Sequence, residues 1–482
     1  MSKVTLNTAE LRDRINGCWM GKSIGGTLGA PFEGRRAILD VTGYTHPAGE
    51  PLPNDDLDLQ LVWLRAVQER GPRGISSQVL GEYWLNYIPP HWNEYGISKA
   101  NQRAGLLPPI SGHYRNERWR NSNGAWIRSE IWACLAPGQP DVAARFACED
   151  ASVDHGGGEG TIAAVFTAAV QSAAFVEHDR DALLRIGLSK LPPDSRVARS
   201  VGIAIDACKA GLTWQEARAK VVADSADLGW FQAPANVAFV VIGWLYGEGD
   251  FGKSICTAVN CGDDTDCTGA TLGALLGILL GRKALPAEWI EPIGERIVTV
   301  AIDRGSLYGI PGDIGALTEA VMAQIPAMRT AFPGDVELSE TAPTDLSDVA
   351  GLKLDDPKAA RDLWSRSPYA VSFDFVHTRV CLDYGRDPEI AAGKPFPIAV
   401  TLTNRMPESR HIDLRWHLPE GWTVTPSAVN HVMLDHWPPE RRVEVEINAD
   451  RLEQGVNRGI LEVLAEGRPT VGLVPLVFMS AR

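Results

Sequence analysis

Three aspartates fall within four positions in the segment Val259-Asn260-Cys261-Gly262-Asp263-Asp264-Thr265-Asp266-Cys267-Thr268-Gly269. Like charges held that close repel, and the arrangement costs stability unless a cation or hydrogen bonds offset it. Hard divalent cations take carboxylate oxygens from loops and helix starts of this kind. An apolar, Gly-rich run from Ala270 to Gly281 follows at once. It predicts a helix whose positive end lies at the aspartates and favours anions there. A capping cluster with solvated carboxylates is the plainer alternative. A second acidic cluster, Pro53-Asn54-Asp55-Asp56-Leu57-Asp58, precedes Leu59, Val62, Trp63, Ala66 and Val67 at helical spacing. Asn and Asp are ordinary N-caps, so each cluster alone has a bland explanation. Two clusters, each at a helix start and far apart in sequence, together predict one metal site assembled by the fold.

Asn54-Asp55-Asp56 and Asp263-Asp264-Thr265-Asp266-Cys267 resemble the Thr-Asp-Asp and Gly-Asp-Thr-Asp-Thr motifs of the ADP-ribosylglycohydrolase family, that of the dinitrogenase-reductase-activating glycohydrolase. Three further stretches are similar to family segments, in the same order. They are Gly17-Cys18-Trp19-Met20-Gly21 through Thr27-Leu28-Gly29-Ala30-Pro31-Phe32-Glu33, then Asn123-Gly124-Ala125-Trp126-Ile127-Arg128, then Ser152-Val153-Asp154-His155 with Gly156-Gly157-Gly158. The resemblance implies a mainly all-α catalytic domain and hydrolysis at ribose C1 of an ADP-ribosyl substrate, protein-linked or small. It implies Mg²⁺, one or two ions, with Mn²⁺ as the alternative. The metal residues it implies are Asn54, Asp55, Asp56, Asp264, Thr265 and Asp266, with Thr268 a further candidate. Glu33, Asp55 and Asp56 would be catalytic: Glu33 as a mobile glutamate, and one of the two aspartates as the base towards water. Asn123, Gly124, Asp154 and His155 would bind the substrate; a core histidine is the alternative for His155.

The sequence also departs from the family pattern. Asn54 stands where the family has a metal-binding Thr, and an amide oxygen still suits a hard cation. Cys267 stands where the last motif has Thr, and a thiol is a poor Mg²⁺ ligand. Cys261 and Cys267 are therefore read as packing residues. Asp263 replaces a Gly and adds charge. These changes keep a second function class open, a glycosidase of the same fold acting on another furanoside or nucleoside. A catalytically silent ADP-ribose-binding protein is a third, disfavoured by Glu33 and the four metal-type aspartates.

The elements that must position these groups follow from pattern. The chain has 482 residues, more than one ordinary core. Residues 1–331 are expected as the helical catalytic domain, with helices over Leu11–Trp19, Thr161–Phe175, Asp181–Leu188, Arg196–Ala210 and Ile290–Val300. The glycines at 269, 273, 277 and 281 recur on one helix face and predict the close approach of another helix. Residues 332–366, polar and acidic with Pro333, Pro343 and Pro357, are expected as a linker. Residues 367–482 alternate with period two at Ile398–Thr403, Ile412–Trp416, Val443–Ile447 and Ile460–Leu464, which predicts a small β-sandwich. That module is similar to immunoglobulin-like modules appended to some glycoside hydrolases. Of Trp84, Trp92, Tyr95, Tyr114, Trp119, Trp126 and Trp132, two or three are expected to line a cleft, since flat rings stack on adenine or sugar, and the others to be core.

Composition excludes other classes. There are 60 acidic and 46 basic residues, a formal net charge of −14, which argues against nucleic acid as a partner. The Ala270–Gly281 run is too short to span a bilayer. The opening residues lack an apolar signal core, and the eight scattered cysteines suit reduced thiols; both lead to the expectation of a soluble cytoplasmic protein. Gly17–Ser23 is one residue short of a phosphate-binding loop, and no strand precedes it. His411, His417, His431 and His436 are expected as exposed histidines rather than a metal site.

Overall fold

The structure is a computed structural model that describes residues 4–45 and 49–481. It divides into a helical unit, residues 1–99 and 115–365, and a β unit, residues 100–114 and 366–482.

The helical unit is organised by the Thr8–Gly29 helix against the Thr265–Leu280 helix. Asn7 caps the first of these by accepting from the Ala9 and Glu10 N–H groups. The glycine stripe of the second helix meets a glycine stripe on the first. A Cβ on Gly17, Gly21, Gly25 or Gly29 would collide with the backbone carbonyl of Gly277, Gly273, Gly269 or Thr265 respectively. The two helices therefore run antiparallel with backbone against backbone, an approach only residues without Cβ permit. The end of the first helix thus lies at the aspartate-bearing start of the second. Around this pair the core takes in Trp19, Trp63, Trp84, Trp126 and Trp132, all fully buried. Gly17–Ser23 lies within the Thr8–Gly29 helix, so it forms no phosphate-binding loop.

The expected helices form at Thr8–Gly29, Glu159–Ala173, Arg180–Ser189 and Arg196–Lys209. The helix expected over Ile290–Val300 does not. A short helix ends at Ile290, because Pro292 follows and Gly294 adopts φ +65°. The stretch 332–366 is not a bare linker. It carries a strand, Val336–Ser339, paired in parallel with Val4–Asn7, and a helix, Lys358–Trp364, within the helical unit.

In the β unit the strands expected from alternation all form, inside Phe396–Asn404, Arg410–His417, Glu440–Ala449 and Val456–Ala465. One five-stranded antiparallel sheet runs Ala370–Asp374, Thr378–Asp383, Phe396–Asn404, Glu440–Ala449, Trp422–Thr425. The other runs Glu389–Ile390, Val471–Ser480, Val456–Ala465, Arg410–His417, Val429–Leu434, antiparallel except for its first pair. Val400 and Ile447 from one sheet share a core with Leu414, Leu461 and Leu476 from the other. Leu106, Ile110 and Tyr114 join that core, so residues 100–114 belong to this unit and not to the helical one in which they were expected. His417 pairs with Glu462 and His431 with Asp413 on exposed strand faces. No helix among the described residues is long and apolar enough to cross a membrane.

The glycine contact makes a paired prediction. Gly273→Ala should destabilise the helical unit by ~1–3 kcal/mol or more, since the added carbon meets immovable backbone. Gly202→Ala, in a helix with open space around it, should stabilise by ~0.5–1 kcal/mol. Denaturant midpoints for both variants decide; equal effects would mean the helix pair relaxes freely.

Candidate metal centre and active site

Each acidic cluster is placed by backbone bonds at a helix start. Asp264 occupies the N-cap position, and its N–H donates to Asn236 Oδ1 at 3.1 Å. Its Oδ2 accepts from Asn123 Nδ2 at 2.6 Å, and Asn123 Oδ1 accepts the Trp126 indole N–H at 2.9 Å. The indole thereby fixes which way the Asn123 amide faces. The Thr265 hydroxyl donates to Gly29 O at 2.8 Å, tying the two glycine-packed helices together at the site. Asp263, at φ +61°, laces the Glu33 loop down: Gly34 N–H donates to Asp263 O at 2.9 Å, and Asp263 N–H to Arg35 O at 3.0 Å. Gly262 is required at φ +75°, where a Cβ would also strike the carbonyls of Ala37 and Arg35.

On the other cluster Asn54 caps the Asp55–Arg70 helix by accepting the Asp56 N–H at 2.7 Å. Asp55, half-buried, accepts the Tyr95 hydroxyl at 3.0 Å. Asp56 is buried, 3.8 Å from Lys22 Nζ and 3.6 Å from Cys267 Sγ. Lys22 is shared: it lies 3.2 Å from Glu130 and donates to Ile127 O at 2.6 Å. Asp58 points elsewhere and accepts the Val300 and Ala301 N–H groups, each at 2.6 Å, so it anchors a loop.

The fold brings the two clusters to one place. Glu33, Asp264 and Asp266 offer oxygens that all lie within 4.8 Å of one another, and Asp56, Asp266 and Cys267 converge within the same limit. Glu33 is exposed at the mouth, yet its carboxyl is pushed up to about 7, first by desolvation, then by Asp266 and Asp55. Asp55 is pushed up to about 6 by burial and by Asp266, with the Tyr95 bond acting the other way. Burial above all, with neighbouring carboxylates, drives Asp56 and Asp264 well above the usual range. Asp56 Oδ2, Asp264 Oδ1 and Asp266 Oδ1 are buried without a hydrogen-bond partner among the described residues. Carboxylate oxygens crowded, dry and unpartnered are a donor set for a divalent cation.

Asp154 and His155, expected to bind substrate with a core histidine as the alternative, sit in the interior, as Asn123 does. Both are fully buried. Asp154 takes two bonds from Arg128, at 2.8 and 3.2 Å, and lies 2.9 Å from His155 Nδ1; His155 Nε2 meets Ser122 Oγ at 3.0 Å. Burial pushes Asp154 up, but Arg128 and His155 more than offset it and hold it low. Through the Ser122 contact this pair helps position the Ser122–Gly124 segment, and Arg128 also donates to Gly124 O; Glu94, Asp154 and His155 also converge as a buried group of three. Asn123 and Gly124 are the members of that substrate group adjoining the metal-type aspartates.

Sequence reasoning missed Lys22, Glu94 and Asn236, and had Tyr95 only as one of the aromatics expected near a cleft. Lys22 had a signal, a lone cation within a Gly-rich apolar run that must find an acid when buried. Glu94 and Asn236 arrive from distant segments and leave no local pattern. Of the aromatics in 82–132, Trp84, Trp126 and Trp132 are core. Trp92 is 46% exposed and its ring lies 6.0 Å from that of Tyr95, the partner of Asp55. Trp230, outside that region, packs beside Gly34 next to Glu33. A cavity of about 540 Å³ lies within the β unit between residues such as Tyr384, Arg386 and Glu446, and hosts none of the metal-ligating groups of three found among the described residues.

A family model described as ADP-ribosylglycohydrolase matches residues 7–324, about two thirds of the chain. A solved structure, "ADP-ribosylglycohydrolase-related protein complex", is similar at 20% identity and a TM-score of 0.42, covering 67% of this chain and 99% of that one. No curated protein matches significantly.

The raised carboxyl groups fix a pH dependence. In the folded state Glu33 (about 7) and Asp55 (about 6) hold protons that the unfolded chain releases near pH 4. The folded state therefore binds more protons between those limits, and metal-free stability should fall as pH rises from about 4 to 7. Asp58, at about 7, adds to the same trend. A divalent cation competes for those carboxylates, so the rise in melting temperature it causes should grow across the same window. Thermal melts from pH 4.5 to 8, with chelator or with cation, read this; a cation effect independent of pH would contradict it.

Proposed function

The chain belongs to the ADP-ribosylglycohydrolase family, and from that premise we propose that it hydrolyses the N- or O-glycosidic bond at ribose C1 of an ADP-ribosyl substrate, with a divalent cation held by the convergent aspartates. The observation that carries this reading is the meeting of Glu33 with Asp264 and Asp266, more than two hundred residues apart in sequence, within 4.8 Å beside Asp55. Mg²⁺ suits the oxygen donors of Glu33, Asp55, Asp264 and Asp266, with Asn54 and Thr265 adjoining. Such a cation, when bound, fixes sugar hydroxyls and acidifies a water.

The protein's own groups divide the remaining work. Asp55, half-buried and oriented by Tyr95, is placed to take a proton from water; Asp56, enclosed with Lys22 and Cys267, is not. Cleavage at a furanose C1 builds positive charge on the sugar, which the surrounding carboxylates stabilise. Glu33, on an exposed loop and holding its proton up to about 7, is suited to meet the substrate as it enters. Asn123, held by Trp126 and Asp264, borders the sugar position.

One observation favours a second reading, a neutral furanoside or nucleoside as substrate. Glu94 is buried with its carboxyl pressed against Gly124, and its Oε2 has no partner among the described residues. Asp150 and Asp154 lie in the same layer, both bonded to Arg128. Burial pushes the Glu94 carboxyl up to about 7, so above that pH a diphosphate seated over Gly124 would meet a negative charge in a dry environment, at a cost several times that in water.

Calorimetry with ADP-ribose, with and without Mg²⁺, on wild type and Asp264→Ala tests the primary reading. Binding should require both Mg²⁺ and Asp264, and turnover of ADP-ribosyl-arginine or ADP-ribosyl-serine should fall by roughly 10²-fold or more in the variant. Undiminished turnover in Asp264→Ala would overturn the metal assignment. Metal binding without ADP-ribose binding, together with hydrolysis of uncharged ribofuranosides and a gain of ADP-ribose affinity in Glu94→Gln, would select the second reading.

A further inference from the structure

Asp266 belongs to two donor sets of different chemistry. With Glu33 and Asp264 it forms an all-oxygen set; with Asp56 and Cys267 it forms a set that contains sulfur. In the second set Cys267 Sγ lies 3.6 Å from Asp56 Oδ1. Asp56 is 1% exposed, Asp266 8% and Cys267 4%. Asp56 Oδ2 and Asp266 Oδ1 have no hydrogen-bond partner among the described residues. Lys22 supplies the nearby positive charge at 3.8 Å from Asp56, but Glu130 stands closer to it at 3.2 Å and shares that charge. A thiol that merely packed here would leave two dry carboxylates facing each other, with one weak S–H bond to offset them.

We propose that Asp56, Asp266 and Cys267 form a metal position selective for a thiophilic divalent ion such as Zn²⁺, bridged by Asp266 to an oxygen-only position for a hard ion. The inference rests on the metal-dependent reading above and changes the identity of one ion. Soft thiolate donors select Zn²⁺ and its relatives over Mg²⁺. Tetrahedral Zn²⁺ with bonds of about 2.3 Å to sulfur and about 2.1 Å to oxygen sets those atoms about 3.6 Å apart. That is the separation of Cys267 Sγ and Asp56 Oδ1. On binding, the S–H bond breaks, its proton passes to solvent and a sulfur–metal bond forms. The packing role assigned to Cys267 from sequence gives way to a ligand role; Cys261, fully buried one turn before the acidic residues and in neither donor set, keeps its packing role.

The full-length protein, stripped by chelator, is titrated with Co²⁺ as the spectroscopic stand-in for Zn²⁺. A near-ultraviolet thiolate-to-cobalt charge-transfer band is expected in wild type and in Cys261→Ser, and is lost in Cys267→Ser. Zn²⁺ should abolish the band, and excess Mg²⁺ should leave it. Zinc-edge X-ray absorption on wild type, which needs no variant, should show one sulfur at about 2.3 Å. Cobalt bound without the band, a band that survives Cys267→Ser, or zinc surrounded by oxygen and nitrogen alone would each overturn the proposal. If Mg²⁺ still stabilises the protein and Asp264→Ala still loses turnover, only the sulfur position fails. If no divalent ion binds at all, the functional reading fails with it.

Discussion

The contact of backbone on backbone between the Thr8–Gly29 and Thr265–Leu280 helices fixes where everything else can be. Side chains on either glycine stripe would hold the helices apart by the breadth of a methyl group or more. Without them, Gly29 abuts Thr265, and the chain leaving the first helix must turn immediately past the start of the second. That turn carries Glu33, and the start it passes carries Asp264 and Asp266. The Gly34–Asp263–Arg35 backbone bonds then hold the loop in register. An acid from the beginning of the chain thus reaches acids more than two hundred positions later through packing, with no side-chain attraction required; the acids repel.

The consequence is an electrostatic imbalance that the protein does not relieve internally. Lys22 and Arg128 are buried cations, and each already has acids of its own: Glu130 and Asp56 for the first, Asp150 and Asp154 for the second. Burial, and then the neighbouring Asp266, raise the proton affinity of Glu33, Asp55 and Asp264. A structural charge cluster would be expected to close on itself, as the Arg128–Asp154–His155 layer does. The unpartnered oxygens of the acidic site separate a binding centre from a folding device, and they support reading the site as one that is completed by a cation.

Much of this was legible in the sequence. Period-two alternation after residue 367 and helical spacing before 331 reflect side chains that must face a core, so both element types follow from local pattern. The two acidic clusters announced themselves as a pair, since each alone is ordinary at a helix start, and their motifs brought the family resemblance with them. Reading failed where a local rule was overruled: Pro292 and Gly294 end a run that is apolar enough for a helix, and the acidic stretch after 332 gains a strand by pairing with Val4–Asn7. Residues 100–114 escaped assignment because helix-like spacing does not say which of two cores Leu106 and Ile110 enter.

Residue types and their order by themselves determined the donor chemistry: aspartates and a glutamate for a hard ion, glycines that demand a close neighbour, a helical catalytic unit followed by sheets. The tertiary structure alone decided which donors meet. It turned Asp58 to a loop backbone, enclosed Asp154 and His155 beside Arg128, gave Asp55 the Tyr95 hydroxyl, and set Cys267 against Asp56. The physical reason is that composition and spacing fix what a side chain can do within its own element, whereas its partners come from other elements, at distances set by packing that no local pattern encodes.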